Sequence, residues 1–385
     1  MSDRTIAVVT GTRADYGLLS SSMAEIERRE GLELAVVATG MHLSTQYGHT
    51  VDEIRADGFT VDREVDMLLD SDTERGMAKS LGVGLASMAD VVAEIDPDIL
   101  LVLGDRDEAF AAGVAAAHMN VPVAHIHGGD AMQGAVIDDS IRHALTKFAH
   151  LHFPASAASA ERVERLGEEP WRIETVGAPG LDDVLAETYE APTAVRSELD
   201  LRASGQLTLV VQHPVTTQVG RAGEQMQATL DALDEVEGDV VVIYPNADAG
   251  GRRMIEAIER HSLRDRLHVV ENLPRRRYLG LLAAADVMVG NSSSAIIEAP
   301  SFDLPVVDIG PRQEGRERVD CVCSVPHETS AIAAAVERCL TDETFRDRVA
   351  DCTNPYDYGG AGENIVDRLA TVDVDDRLRR KRITY

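Results

Sequence analysis

Apolar runs of strand length alternate with longer segments of helical period along this chain, in two successive series. Parallel strands can be joined only by long crossovers, ordinarily helices, so the alternation dictates parallel sheets with helices on both faces. The first series has strands at Thr5–Thr10, Leu34–Thr39, Ile99–Leu103, Val121–Ile126 and Leu151–Phe153. The second has them at Leu207–Gln212, Val240–Tyr244, Leu267–Val270, Asp286–Gly290 and Pro305–Ile309. The clearest helix runs from Thr73 to Glu94 and stops at Asp96-Pro97, because a proline ring disfavours helical geometry in the residue before it. Between the series, GAPGLDDVLAETYEAPTA has no core-grade strand and reads as a linker. The expected organisation is an α/β domain over 1–178, a linker over 179–195, a second α/β domain over 196–361, and a C-terminal helix with a basic tail over 362–385 packing back on the first domain. Two such halves face each other across a cleft, with ligands at the carboxyl ends of the strands.

At 385 residues the chain exceeds one comfortable core, and a hydrophobic fraction of 44% excludes global disorder. No run of 18 apolar residues occurs and the N-terminus enters a strand directly, so neither a membrane span nor a signal peptide is expected, and the location expected is cytoplasmic. Cys321, Cys323, Cys339 and Cys352 lack a C-x-x-C spacing and read as free thiols. The formal charge is −29, and only three of the 37 basic residues are lysines (Lys79, Lys147, Lys381). The acids are spread along the whole chain, a distribution that resembles proteins of salt-loving cytoplasms and argues against nucleic-acid partners. The tail RLRRKR reads as a solvated end.

Titratable residues crowd the segment from His125 to Lys147: Asp130, Asp138, Asp139, Arg142, His143 and Lys147 follow a core strand. Such residues are rarely buried without partners, so proton transfer or an anionic ligand is the expected reason. His125 and His127 share a strand face, while Asp138 with Arg142 and Asp139 with His143 stand at helical i, i+4 spacing. A metal site from His-x-His and a carboxylate is one reading; acid/base chemistry is preferred, because a cleft rich in arginine repels a cation. His150 and His152 read as caps of the next strand.

The turn Thr10-Gly11-Thr12-Arg13 precedes a helix, where free N–H groups and Arg13 suit phosphate; Gly104-Asp105-Arg106 ends another strand. A plain turn and a structural ion pair are the respective alternatives. Neither matches a dinucleotide fingerprint. In the second half, Gln212-His213-Pro214, Tyr244-Pro245-Asn246-Ala247-Asp248-Ala249-Gly250-Gly251 and Gly290-Asn291-Ser292-Ser293-Ser294 end three strands, the last before a helix bearing Glu298. Hydroxyls at a helix start suit phosphate, and a carboxylate one turn in suits ribose. With Arg312, Arg316 and Arg318 they suggest an electropositive cleft for a nucleotide diphosphate.

Together TGTRADYG, GDR, AHIHGGD, DDSIRHALTK, QHP, YPNADAG, GNSSSAIIEAP and PRQEGR resemble the hydrolysing UDP-N-acetylglucosamine 2-epimerase family, in order and over nearly the whole chain. The resemblance implies two Rossmann-like domains in the glycosyltransferase-B arrangement, no metal and no other cofactor. It implies elimination of UDP across C1 and C2 of the sugar to a glycal, then addition of water with C2 inverted, giving N-acetylmannosamine as in sialic-acid synthesis. It also implies catalytic roles for Asp105, His127, Asp138 and His213, and substrate contacts at Arg13, Arg106, Asp139, Arg142, Asn246, Ser292, Ser293, Glu298 and Arg312. Related non-hydrolysing enzymes carry a glutamate where this chain has His127. The expected partner is a UDP-sugar, with no nucleic acid or membrane, in a dimer or tetramer. Alternatives are the same chemistry on a UDP-2,4-diacetamido-2,4,6-trideoxyhexose, a glycosyltransferase of the same fold, and a non-catalytic nucleotide-sugar sensor.

Overall fold

The structure is a computed structural model that describes residues 3–71, 73–132 and 136–385. Twelve strands are found among them: β1 (Arg4–Thr10), β2 (Leu32–Thr39), β3 (Val61–Val65), β4 (Ile99–Leu103), β5 (Val123–Ile126), β6 (Leu151–Phe153), β7 (Leu207–Val211), β8 (Asp239–Ile243), β9 (Leu267–Val270), β10 (Val287–Gly290), β11 (Val306–Ile309) and β12 (Val322–Val325). They form two parallel sheets, ordered β3-β2-β1-β4-β5-β6 and β9-β8-β7-β10-β11-β12. Counted within its own half, each sheet has the order 3-2-1-4-5-6, which reverses direction between its first and fourth strands.

Each sheet is covered on both faces, which is why its inner strands are apolar without alternation. In the first lobe, Tyr16, Leu19, Met23 and Ile26 of helix Arg13–Arg28 cover one face, and Met88, Val92, Ala112 and Ala116 of helices Glu74–Ile95 and Asp107–His118 cover the other. In the second lobe, Met226, Met254 and Ile332 lie on one side of the sheet and Leu279, Leu282 and Ile296 on the other.

Helix Glu74–Ile95 begins and ends as its sequence dictates. Thr73 accepts the Gly76 N–H at 3.0 Å, and Asp96 turns left-handed, φ 49°, ahead of Pro97. The structure adds two strands to the ten expected, β3 and β12, both at sheet margins. A margin strand has a single neighbour and tolerates the polar Asp62, Arg63 and Glu64, so β3 carries no continuous apolar run.

The segment expected as a linker is more ordered than its composition suggests. Pro179 and Pro192 open short helices, Pro179–Leu181 and Pro192–Glu198, and Leu181, Val184 and Val195 join the apolar core of the second lobe. The chain crosses between lobes a second time near Tyr356, beside the first crossing, with the Ala178 N–H donating to the Tyr356 carbonyl at 3.0 Å. Gly177 is at φ +86° there, and a side chain on it would meet that carbonyl at 2.9 Å.

Helix Ala361–Thr371 then packs on the first lobe through Ile365, Val366 and Leu369, and its Ala361 and Gly362 N–H groups donate to the Asp182 carboxylate at 2.8 and 2.7 Å. The basic tail is held at its backbone, while Arg377, Arg379, Arg380 and Arg382 stay exposed as expected: Arg377 lies over Trp171, Arg172 donates to the Arg377 and Leu378 carbonyls, and Lys381 pairs with Glu168. Among the described residues, no helix is long and apolar enough to cross a membrane.

Candidate active site

The direction reversals of the two sheets face each other. The ends of β1 and β4 from one lobe and of β7 and β10 from the other border a cavity of about 560 Å³ between the lobes. Twelve of the thirteen residues expected at the site line it: Arg13, Asp105, Arg106, His127, Asp138 and Arg142 from the first lobe, and His213, Asn246, Ser292, Ser293, Glu298 and Arg312 from the second.

Three carboxylates of different character meet here. Asp105 is paired with the buried guanidinium of Arg142. Asp138, on the first turn of helix Ile137–Phe148, is buried and lies 3.9 Å from Arg312 of the opposite lobe. Burial and the neighbouring Asp248 charge raise its carboxyl to about 7, against the pull of Arg312 and Arg106. Asp130 is fully buried, but the hydrogen bond with His127 and the charge of Arg316 outweigh desolvation and hold it at about 2. An acid that titrates near neutral pH thus lines the cleft, with a fixed carboxylate behind it.

The two histidines differ as well. His127 follows β5 with φ +63°, a left-handed conformation unusual for a side-chain-bearing residue, and its Nδ1 is 3.2 Å from Asp130 Oδ2. Asp130 also accepts from Ser159 Oγ at 2.8 Å and from Arg316 Nη1 at 3.2 Å, so Arg316 reaches across the cleft to the carboxylate that orients His127. Burial pushes His213 down to about 3, which keeps its ring neutral. The Asn246 N–H donates to His213 Nδ1 at 3.2 Å, so the ring hydrogen sits on Nε2 as a donor.

Four expectations change. Asp139, one position round the helix from Asp138, does not line the cavity; it accepts the Met132 N–H at 2.7 Å and faces His143 at 3.7 Å. His125 and His127 do not share the cavity, because β5 ends at Ile126; His125 is buried with Nε2 on the Gly104 carbonyl at 2.7 Å. Arg318 pairs with Asp308 at 2.7 Å, outside the cleft. The start of helix Arg13–Arg28 is already occupied by an anion of the chain itself: Asp15 accepts the Gly11 and Thr12 N–H groups at 3.0 and 2.7 Å in a capping box with Thr12. Arg13 remains at the cavity, paired with Glu53 at 2.7 Å and bonded to Asn272 of the other lobe. Residues 133–135, the far part of the glycine-bearing loop before Asp138, lie outside the described residues. His150 and His152 are structural: His150 Nδ1 accepts the Val123 N–H and His152 Nε2 meets Glu168.

Sequence reasoning named Gly290, Asn291 and Asp248 only as parts of strand-end segments, without these roles, and did not name Arg275. Asn291 clamps the backbone of His213, accepting its N–H at 2.7 Å and donating to its carbonyl at 2.9 Å, while the Asn291 carbonyl takes Arg312 and Gln313. Gly290 before it, at φ +139°, lies so close to β7 that a side chain would meet the Val211 carbonyl at 2.0 Å. Arg275 pairs with Glu298 Oε1 at 2.6 Å, leaving Oε2 buried without a partner among the described residues. Asp248 bridges to Arg106 across the cleft at 3.2 Å and accepts from Asn246 at 2.6 Å. The triple-arginine run PRRRY in so acidic a chain was the available signal for Arg275.

The sequence profile described as UDP-N-acetylglucosamine 2-epimerase matches residues 24–370. The chain is 35% identical over 382 residues to a UDP-N,N'-diacetylbacillosamine 2-epimerase (hydrolyzing) of Legionella pneumophila, covering 99% of this chain and 100% of that one. It is 31% identical to a GDP/UDP-N,N'-diacetylbacillosamine 2-epimerase (hydrolyzing) of Campylobacter jejuni, over 89% of each. A crystal structure of UDP-GlcNAc 2-epimerase from Neisseria meningitidis bound to UDP-GlcNAc superposes with a TM-score of 0.79 at 18% identity, covering 95% of this chain and 99% of that one; the likeness carries the two-lobed, glycosyltransferase-B-like fold.

Proposed function

Since the chain belongs to the UDP-N-acetylglucosamine 2-epimerase family, we propose that it is a hydrolysing 2-epimerase whose substrate is a UDP-2,4-diacetamido-2,4,6-trideoxyhexose of the diacetylbacillosamine type. The Legionella and Campylobacter relatives, both named for that sugar, support this over UDP-N-acetylglucosamine, the substrate expected from sequence. The observation that supports the reading is that Asp138 and His127, the latter bonded to Asp130, line one interlobe cavity beside Arg312, His213, Ser292 and Ser293.

The C2 hydrogen is not adjacent to a carbonyl, so it is acidic only as the diphosphate departs and C1 becomes positive. Holding the departing charge is therefore the main task. Arg312, the neutral His213 Nε2–H and the Ser292 and Ser293 hydroxyls take that role, as fixed donors in a water-poor cleft do not reorganise during the reaction. Asp105, paired with Arg142, faces the developing positive charge at C1. Glu298 Oε2 accepts from ribose hydroxyls.

Inversion at C2 requires the proton to leave from one face and return to the other. Two groups do this more simply than one. His127, oriented by Asp130, accepts the C2 proton as the C1–O bond breaks and UDP leaves. Asp138, protonated, then gives its proton to C2 of the glycal while water adds hydroxyl to C1. The water's remaining proton returns to Asp138, and the C2 proton leaves His127 to solvent as UDP departs, so both groups regain their starting forms. The products are UDP and the 2-epimeric free sugar.

The deciding experiment is proton NMR in D2O with each of the two UDP-sugars. The reading expects free UDP, one deuterium at C2 of the product, and a kcat/KM for the diacetamido sugar at least about tenfold above that for UDP-N-acetylglucosamine, a difference of about 1.4 kcal/mol. UDP released only when a glycan acceptor is added would establish a glycosyltransferase instead, and binding without turnover a sensor.

A further inference from the structure

All four cysteines of the chain gather at one margin of the second lobe, away from the cleft. Cys321 and Cys339 are buried in its core, Cys323 and Cys352 are half-buried beside them, and none is disulfide-bonded. Cys323 is on the margin strand β12 and Cys339 on helix Thr329–Thr341, which packs against that strand.

Their surroundings are not those of inert core thiols. Cys339 sits on the helix that packs against β12 and in the same apolar cluster as Cys323, and Arg338 Nη1 lies 4.0 Å from Cys323 Sγ. Arg338 and Arg348 both stack on Phe345, with guanidinium carbons 4.6 and 5.6 Å from the ring centre, which fixes two positive charges beside the sulfur. Cys323 also opens on a cavity of about 520 Å³ lined by these arginines, Phe345 and Val322, and no residue of this cavity lines the interlobe cleft. A small neutral oxidant can therefore reach one thiol of the pair while the other stays behind it.

We propose that Cys323 and Cys339 are a peroxide-reactive pair, Cys323 attacking and Cys339 resolving, which closes a disulfide between β12 and helix Thr329–Thr341. In the first step the Cys323 thiolate attacks one peroxide oxygen, the O–O bond breaks, and hydroxide leaves, taking up the proton that Cys323 released. Cys323 is then a sulfenic acid. In the second step Cys339 sulfur displaces the sulfenic hydroxyl, which departs as water with the Cys339 proton. Two thiols are oxidised by two electrons and one hydroperoxide is reduced to two waters. The cationic surroundings favour the thiolate: the Cys339 hydrogen bond, then Arg338 and Arg348 against the opposing effect of burial, bring Cys323 down to about 7.

The test uses the intact folded chain and hydrogen peroxide. After stoichiometric peroxide, two of the four thiols should be lost, and peptide mapping without reductant should show Cys323 joined to Cys339. Cys339→Ser should instead accumulate a sulfenic acid at Cys323, trapped by dimedone, and Cys323→Ser should protect Cys339. Without peroxide, iodoacetamide at pH 7 should label Cys323 first, and Arg338→Ala should slow that labelling about fivefold, as for a thiol returned one unit toward its ordinary value. Four thiols that react only after denaturation, a disulfide of any other pairing, or no dimedone adduct in folded Cys339→Ser would overturn the proposal.

Discussion

At the scale of single residues, the site separates groups by the environment each is given. Asp105 follows a strand end and Asp138 opens a helix, yet one sits against Arg142 and the other is buried beside Asp248. Asp105→Asn should therefore lower kcat about 100- to 1000-fold while UDP still binds in calorimetry, because it removes charge that counts only as C1 becomes positive. Near-normal turnover in that variant would contradict its role. For Asp138 the sign follows from its assigned form. As the acid of the second step it must be protonated, so where rehydration limits turnover kcat should be level below pH 7 and fall as pH rises through about 7. A kcat profile in which Asp138→Asn retains both the rate and that limb would refute the assignment. Asp105, Asp138 and His213 were legible in the chain because each stands where a strand end or helix start is written in its own neighbours. The roles of Asp130, Asn291 and Arg275 were not, since each depends on a partner that only the fold supplies: His127 across a turn, His213 on an adjacent strand, Glu298 on another helix.

At the scale of elements, the second lobe ends by reaching back to hold the first, and a buried acid ties it down. Glu168 meets Lys147 at 2.5 Å, Lys381 at 2.8 Å and His152 at 3.1 Å. Two of the three lysines of an arginine-rich chain are thus spent on one carboxylate, where a compact ammonium fits and a planar fork would need more room. Burial opposes its ionisation, but the His152 hydrogen bond and the lysine charges prevail and bring Glu168 from near 4.5 to about 2. Its folded value lies below its unfolded one, so the stabilisation is present above about pH 4.5 and is lost as pH falls toward 2. Glu168→Gln should flatten that dependence in acid titrations followed by circular dichroism. It should also lower stability at pH 7 by about 1.5–3 kcal/mol, because the half-buried Lys381 ammonium loses its anion while the exposed Lys147 can turn to water. The anchoring lay beyond sequence reasoning, for Lys381 and Glu168 are remote along the chain. By contrast, helix Glu74–Ile95 was readable to within a residue, because Thr73 and Asp96-Pro97 carry its start and stop locally. β3 and β12 escaped notice since a margin strand needs no apolar run.

For the whole molecule, the question is how a chain of charge −29 closes two lobes around an anion. Three arginines stand where closure happens. Arg316 meets Asp130, Arg312 faces Asp138 and Arg106 meets Asp248, each pair crossing from one lobe to the other within buried surroundings. Asp and Glu are spread widely over the rest of the chain, and their exposed charges repel one another over a distance that salt sets, about 10 Å at 0.1 M and about 3 Å at 1 M. Buried pairs are screened far less. Added salt should therefore relieve the repulsion that opposes compaction while leaving the crossing pairs intact, and Tm should rise as KCl goes from about 0.1 M to about 2 M. Thermal scans in sucrose distinguish this from general exclusion of solute: sucrose favours any compact state but screens no charge, so it should raise Tm less than KCl does. Arg316→Met separates the two contributions further. Losing one partner of a buried pair should lower kcat at every salt concentration, while the slope of Tm against KCl stays that of the parent chain, because the slope belongs to the surface. A Tm that is flat or falls with KCl would mean that the acidic surface does not strain the folded state, and that closure owes nothing to screening.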